Sequence, residues 1–275
     1  MHARIFIGIL FAALLSPAFA AEDTRLPFQA MDVFQLELAT EPQVSPDGNR
    51  IVYVRQRMDV MTDRPTGDIW IINADGGSHQ PLITGQGRVS TPRFSPNGDR
   101  LLYATGGKLH VRYLGSNRDT AITHTLEAPS SAAWSPDGKW IAFTMDVPAE
   151  PESFVQLPSP PEGAEWAEAP KFIDDLLYRA DGAGYLKETW THVFIVPAEG
   201  GTPRQLTSGD FNHGAPAWSR DGKTIHVSAN RKENWQFDPL ESEIHAINVE
   251  SGELQTLTDR DGPDGNPVVS PDGRY

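Results

Sequence analysis

Short runs of alternating apolar and polar residues recur along this chain, and each run has the same preface. RIVYV (50–54), RLLYA (100–104), KWIAF (139–143) and KTIHV (223–227) each follow a four-residue turn sequence. The turns read Ser45-Pro46-Asp47-Gly48, Ser95-Pro96-Asn97-Gly98, Ser135-Pro136-Asp137-Gly138 and Ser219-Arg220-Asp221-Gly222, with a fifth at Ser270-Pro271-Asp272-Gly273. Proline presets φ at the second position of a tight turn, Asp or Asn tolerates the third, and glycine takes a positive-φ corner. The pattern predicts strand, turn, strand, and five copies predict a repeat architecture.

Each unit has a second half. An alternating strand, a Gly-containing turn and a closing strand ending near Leu-Thr follow: IWIINADGG then SHQPLIT, HVFIVPAEGG then TPRQLT, and IHAINVESG then ELQTLT. A reduced version, LHVRYLGSNRDTAIT, fills the second unit. Four strands per unit at a spacing of 40–50 residues is the signature of a β-propeller blade. No unit has the 3.6-residue apolar period of a helical solenoid. The predicted fold is all-β: a β-propeller with four blades plus the start of a fifth, an incomplete arc of a seven- or eight-bladed ring.

The predicted organisation follows. Residues 1–20 read as a secretory signal peptide, with Arg4 before an apolar run from Ile5 to Leu15 and Ala18-Phe19-Ala20 as the cleavage site; the run is too short to span a bilayer. That implies a periplasmic or secreted protein with no membrane attachment after cleavage. Residues 21–42 are a lead-in, with a short helix or turn expected around Gln29–Leu38. Residues 43–275 are the partial propeller, with blades at about 43–85, 92–124, 131–208 and 216–259 and a stub at 267–275. The third blade carries an insertion, 146–189, between its second and third strands. Its first half is Pro/Glu-rich and reads as an extended loop. Its second half is expected to open on a helical turn (Phe172, Leu176, Leu177) before a hairpin at Asp181–Gly184. A blade that stops after one turn implies a longer protein, and open strand edges predict aggregation of the isolated piece.

Composition narrows the chemistry. The chain of 275 residues has a net charge of −14 and no Lys/Arg cluster, so nucleic acid is a poor partner. It has no cysteine, which removes disulfides, thiolate metal sites and a Cys nucleophile. There is no Gly-x-Ser-x-Gly elbow; Gly76-Gly77-Ser78-His79-Gln80 lacks the last glycine. The histidines show no His-x-x-x-His or His-x-His pairing, so no zinc site is expected. His110, His226 and His245 fall inside strand alternations and read as satisfied structural histidines. The stretch from Asp259 to Gly265 resembles a calcium loop but has Ser270 where an EF-hand places its bidentate Glu. No phosphate-binding loop or dinucleotide fingerprint is present, and no metal or other cofactor is expected.

The insertion is the informative departure from the repeat. Glu162, Glu165 and Glu168 cluster with Trp166, and Tyr178, Arg179 and Asp181 follow. Two readings stand. Carboxylates beside aromatics can hold a peptide's free amine while Arg holds a carbonyl or carboxylate. Alternatively the loop is solvated, with Tyr and Trp packed on the blade rim.

On its Ser-Pro-Asp-Gly blades, the insertion PKFIDDLLYRADGAGYL and the return HVFIVPAEGGTPRQLTSGDFNHGAPAWS, the chain resembles the N-terminal propeller of the prolyl oligopeptidase family of serine peptidases. The acylaminoacyl-peptidase and dipeptidyl-peptidase-like bacterial branch is the most similar. The resemblance implies a propeller gating a C-terminal α/β-hydrolase domain, absent from this chain, whose Ser-Asp-His triad cleaves short peptides by acyl transfer. It implies no catalytic residue here. It implies a substrate-facing role for Glu165, Glu168, Tyr178 and Arg179. The blade motif is shared with TolB-like periplasmic propellers, so a stand-alone module that binds partner proteins is the alternative. An amidohydrolase fused to such a propeller is a third.

Overall fold

The computed structural model describes residues 27–116, 118–149, 158–167, 173 and 175–275. The signal-peptide expectation (1–20) lies outside the described residues. A 3-10 helix, Ala30–Gln35, precedes the first strand. Strands β1 (Glu37–Val44), β2 (Arg50–Asp59), β3 (Arg64–Asn73) and β4 (Gln80–Ile83) form the first sheet. β5 (Val89–Phe94), β6 (Arg100–Thr105), β7 (Lys108–Tyr113) and β8 (Asp119–Ala121) form the second. The third contains β9 (Ser130–Trp134), β10 (Trp140–Pro148), β13 (Thr189–Pro197) and β14 (Arg204–Gln205). Between β10 and β13 lies a separate hairpin, β11 (Arg179–Ala180) with β12 (Gly184–Tyr185). The fourth sheet is β15 (Ala217–Trp218), β16 (Thr224–Ala229), β17 (Glu243–Asn248) and β18 (Leu254–Thr256). Every sheet is an antiparallel meander of four strands in chain order, the build of a propeller.

Two local expectations differ from the structure. β1 starts at Glu37, inside the expected lead-in, because residues 37–40 pair with β2 in register (Glu37↔Arg57, Thr40↔Val54). No helical turn forms at Leu176 and Leu177, and Phe172 lies outside the described residues. The backbone there is instead held by Gln236 of the fourth sheet, whose Oε1 accepts from the Leu176 N–H at 2.8 Å.

The sheets stack face to face, and alternation explains how. Val52, Val54, Ile69 and Ile71 pack against Leu101 and Tyr103 between the first and second sheets. Leu102, Leu109 and Val111 meet Ile141, Phe143 and Phe194 between the second and third. Ala142, Val193 and Ile195 meet Trp218, Ile225, Val227 and Ile247 between the third and fourth. A sheet with two neighbours buries both faces, so Ile141, Ala142 and Phe143 are all inaccessible.

The recurring turn is a clamp as well as a corner. In every copy the serine hydroxyl donates to the side chain two residues on (Ser45 to Asp47 2.5 Å, Ser95 to Asn97 2.8 Å, Ser135 to Asp137 2.6 Å). The same serine oxygen accepts from the N–H five residues on, as in Trp140 to Ser135 at 2.9 Å. Successive turns also touch. A Cβ added at Gly98 would lie 3.5 Å from Pro46 Cδ, and one at Gly138 would lie 3.5 Å from Pro96 Cδ. At Gly273 the neighbour is Arg220 Cβ, at 3.2 Å, so the last turn sits on the fourth as the earlier turns sit on one another. Arg50 donates to Gly98 O (3.1 Å) and Arg100 to Gly138 O (2.8 Å), stitching the same row.

Because each sheet is a meander, these turns and the β3–β4 type turns share one end of the sheets. The β2–β3 type connections and the links between sheets share the other. The insertion, the β16–β17 loop and the β14–β15 link therefore meet at that second end.

Candidate functional site

At this end a groove of about 400 Å³ opens between the third and fourth sheets. Its walls are Leu177 from the insertion, Trp190 of β13, Phe211 and Asn212 of the β14–β15 link, and Trp235 and Leu240 of the β16–β17 loop. The 3-10 turn Trp235–Phe237 sets the Trp235 ring edge-on to Trp190, with centroids 5.6 Å apart. Gln236 bonds both the Leu176 N–H and Asp175 Oδ1 (2.5 Å), tying the insertion to the fourth sheet. Gly214 is required below: a Cβ there would meet Ser228 Oγ at 2.5 Å.

Beneath the groove lie three buried histidines, His192, His213 and His245. His213 Nδ1 is 3.0 Å from Thr191 O, so the ring donates there and its Nε2 is the acceptor. Arg231 Nη1 approaches that nitrogen at 2.8 Å, and the guanidinium lies 4.5 Å above the Phe211 ring. Burial pushes the His213 pKa down to about 4, with nearby Arg231 adding to the effect, so the ring is neutral at ordinary pH. Burial also lowers His192 and His245. His192 meets Thr207 Oγ1 at 3.2 Å, and His245 meets Ala229 O at 3.2 Å and Thr256 Oγ1 at 3.1 Å.

None of Glu165, Tyr178 and Arg179 lines this groove. Glu165 is exposed on a loop, and Glu168 lies outside the described residues. Tyr178 is exposed, its ring 6.2 Å from Tyr185 across the β11–β12 hairpin, and Arg179 pairs in register with Tyr185. Among the described residues, Glu165 and Arg179 have no side-chain hydrogen bond or ion pair. The histidine reading needs one correction. His110 (to Asp119 Oδ1, 3.3 Å) and His245 are partnered, but His226 Nδ1 is buried without a partner among the described residues. Its cross-strand neighbours are Ala217 and Ala246, which have no polar side chain to offer. Sequence reasoning missed Arg231, Phe211, Trp190 and Trp235. The available signal was that all four lie on the insertion's side of the meander, Trp190 and Arg231 next to the ends of alternating runs. Among the described residues no group of three or more His, Asp or Glu is placed to hold a metal.

Comparison with known proteins supplies the class. Residues 168–275 match the family model of the dipeptidyl peptidase IV (DPP IV) N-terminal region. The chain is 30% identical over 209 residues to the uncharacterized peptidase YuxL of Bacillus subtilis, covering 74% of this chain and 31% of that protein. It is 25% identical over 299 residues to dipeptidyl-peptidase 5 of Porphyromonas gingivalis, covering 100% and 42%. It thus spans well under half the length of these relatives. Among solved structures, the acylaminoacyl peptidase of Pyrococcus horikoshii superposes with a TM-score of 0.63 at 17% identity, covering 86% of this chain and 34% of that one. TolB from Acinetobacter baumannii reaches 0.50 at 15% identity, covering 82% and 46%. These two show the fold, a β-propeller. The family match over residues 168–275 and the two peptidase relatives support a likeness to the N-terminal propeller of prolyl oligopeptidase-family peptidases.

Proposed function

We propose that this chain is the substrate-gating propeller of an exported serine peptidase that hydrolyses short peptides by acyl transfer. The carrying observation is the match of residues 168–275, which include the insertion's hairpin and the groove's walls, to the dipeptidyl peptidase IV N-terminal region. TolB-like binding without catalysis has weaker support, since that likeness rests on fold alone.

In this reading residues 1–20 direct export to the periplasm or exterior and are removed, and residues 43–275 are the leading blades of a seven- or eight-bladed ring. Catalysis belongs to a C-terminal α/β-hydrolase domain supplied by the same protein. The propeller's part is exclusion: a stack of rigid sheets admits short peptides and rejects folded ones. Glu165, Glu168, Tyr178 and Arg179 of the insertion face the substrate, the carboxylates toward its amine and Arg179 toward a carbonyl.

The test is kinetic. The whole gene product, assayed with dipeptide and N-acetyl amino-acid p-nitroanilides, is expected to hydrolyse at least one class and to be inactivated by a serine-directed sulfonyl fluoride. Residues 21–275 alone are expected to do neither. A whole gene product with no sulfonyl fluoride-sensitive hydrolysis of any short peptide overturns the proposal.

A further inference from the structure

Arg231 is a half-buried cation whose charge nothing nearby answers. Among the described residues no carboxylate lies within ion-pair distance of it; its contacts are the His213 ring, Ser208 O at 3.4 Å and the Phe211 face. Taking a guanidinium from water is costly unless it is paired, so an unpaired one held in fixed geometry is unusual. It is held well. His213 is buried and neutral, and Phe211 lies flat beneath the fork, so its direction is set before any ligand arrives.

Two carboxylates that line the recess beside Arg231 are held by other donors. Glu241 accepts from Lys232 Nζ at 2.8 Å and from the Gly262 N–H at 2.5 Å. Glu243 accepts from Thr258 Oγ1. The apolar groove and a smaller recess of about 160 Å³, which Arg231 lines, share Ala229, Asn230, Glu241 and Ser242 in their walls, so the two adjoin. Phe211 lines the groove, and its ring centroid lies 4.5 Å from the Arg231 guanidinium.

We propose that this groove and the adjoining recess together form a carboxylate subsite for the C-terminal residue of a short peptide. Its apolar side chain lies among Leu177, Trp190, Phe211, Trp235 and Leu240, and its free carboxylate is held by Arg231. The proposal rests on the peptidase reading for the word peptide, but the subsite itself is defined by the cation and the aromatic walls. A carboxylate from another part of the same protein has the same chemistry, and the experiment separates the two.

The probes are N-acetyl-phenylalanine and N-acetyl-phenylalanine amide, titrated into the whole gene product with Trp fluorescence as readout. Neither probe needs to be hydrolysed, so the result stands whether or not the protein proves to be a peptidase. A charge-assisted pair makes the acid bind about tenfold more tightly than the amide. Arg231→Gln is expected to bring that ratio to about one, and Arg231→Lys, which keeps the charge but not the fork, to an intermediate value. The wild-type ratio is measured first and does not depend on any variant folding. Equal binding of acid and amide, or no binding of either, overturns the proposal. So does a ratio that survives in Arg231→Gln. Loss of thermal stability in Arg231→Gln alongside equal wild-type binding assigns the partner carboxylate to the protein itself, which also overturns it.

Discussion

At the scale of single residues, one hydrogen bond recurs in every turn: the serine's hydroxyl on the side-chain oxygen two positions on, a carboxylate in four of the five. It makes the turn a titrating device. The Ser45 hydroxyl and the Asn49 amides hold Asp47 down at about 2, and the corresponding serines lower Asp137, Asp221 and Asp272. Carboxylates depressed in the folded state stabilise it above their unfolded value near 3.9 and lose that contribution as pH falls toward the folded one. The buried histidines act earlier. Held neutral when folded, with His213 near 4, they favour the unfolded chain as pH drops from about 6.5 to 4. Melting temperature is therefore expected to fall in two stages, first between about pH 6.5 and 4 and then below about 4. The second turn supplies its own control, because Asn97 accepts from Ser95 without titrating. Asp137→Asn is expected to keep its turn at pH 7 and to melt with a shallower dependence below pH 4; an unchanged slope would count against the clamp. The glycine of the same turn has a different burden. Gly138 has φ +68, and a Cβ there would lie 3.0 Å from Arg100 Nη2. Gly138→Ala is expected to cost about 1–2 kcal/mol in denaturant titration.

At the scale of elements, the strands were legible because both their faces are set by alternation, and the turns because Pro, Asp and Gly have fixed backbone uses. Three features were not legible. The first strand of several sheets carries a bulge four residues before the serine, with positive φ at Glu41, Thr91 and Ser131. None of the three is glycine, so no residue type announces it. The role of the proline in seating the next turn depends on a glycine far along the chain, as in Pro46 with Gly98, Pro96 with Gly138 and Pro136 with Gly222. The Leu-Thr endings were visible, but not their reason: the threonine hydroxyl accepts a backbone N–H from the third strand, Leu109 to Thr123 at 2.8 Å, Val193 to Thr207 at 3.0 Å and Ile244 to Thr258 at 2.9 Å. Thr207→Val keeps the shape and removes the acceptor, leaving the Val193 N–H and His192 Nδ1 unanswered in a buried site. It is expected to destabilise by about 2 kcal/mol, measured by urea unfolding; a change under about 0.5 kcal/mol would show that the hydroxyl is not required. The groove was the least legible part, since Trp190, Phe211, Arg231 and Trp235 come from one strand and two connections that only the stacking of two sheets brings together.

At the scale of the whole molecule, the second and third sheets are covered on both faces, whereas the first and fourth each have one described neighbour. Leu38 and Val44 near the first and Leu257 and Val268 near the fourth are exposed. Residues 21–275 expressed alone are expected to self-associate with rising concentration in sedimentation velocity, and a monomer that unfolds cooperatively would contradict an arc awaiting further blades. The last turn sits on the fourth, Arg220 against Gly273, in the same way as the earlier turns sit on one another. The insertion, the aromatic groove and Arg231 all lie at the end opposite the row of turns, so the proposed ligand site and the stitched turns occupy opposite ends. The central claim is that this propeller serves a serine peptidase, and labelling tests it most directly. The whole gene product would be treated with a fluorophosphonate probe, digested and mapped by mass spectrometry. The account predicts one labelled serine, within a Gly-x-Ser-x-Gly sequence and outside residues 1–275. A gene product that takes up no label, or takes it up on a serine of the propeller, would contradict it.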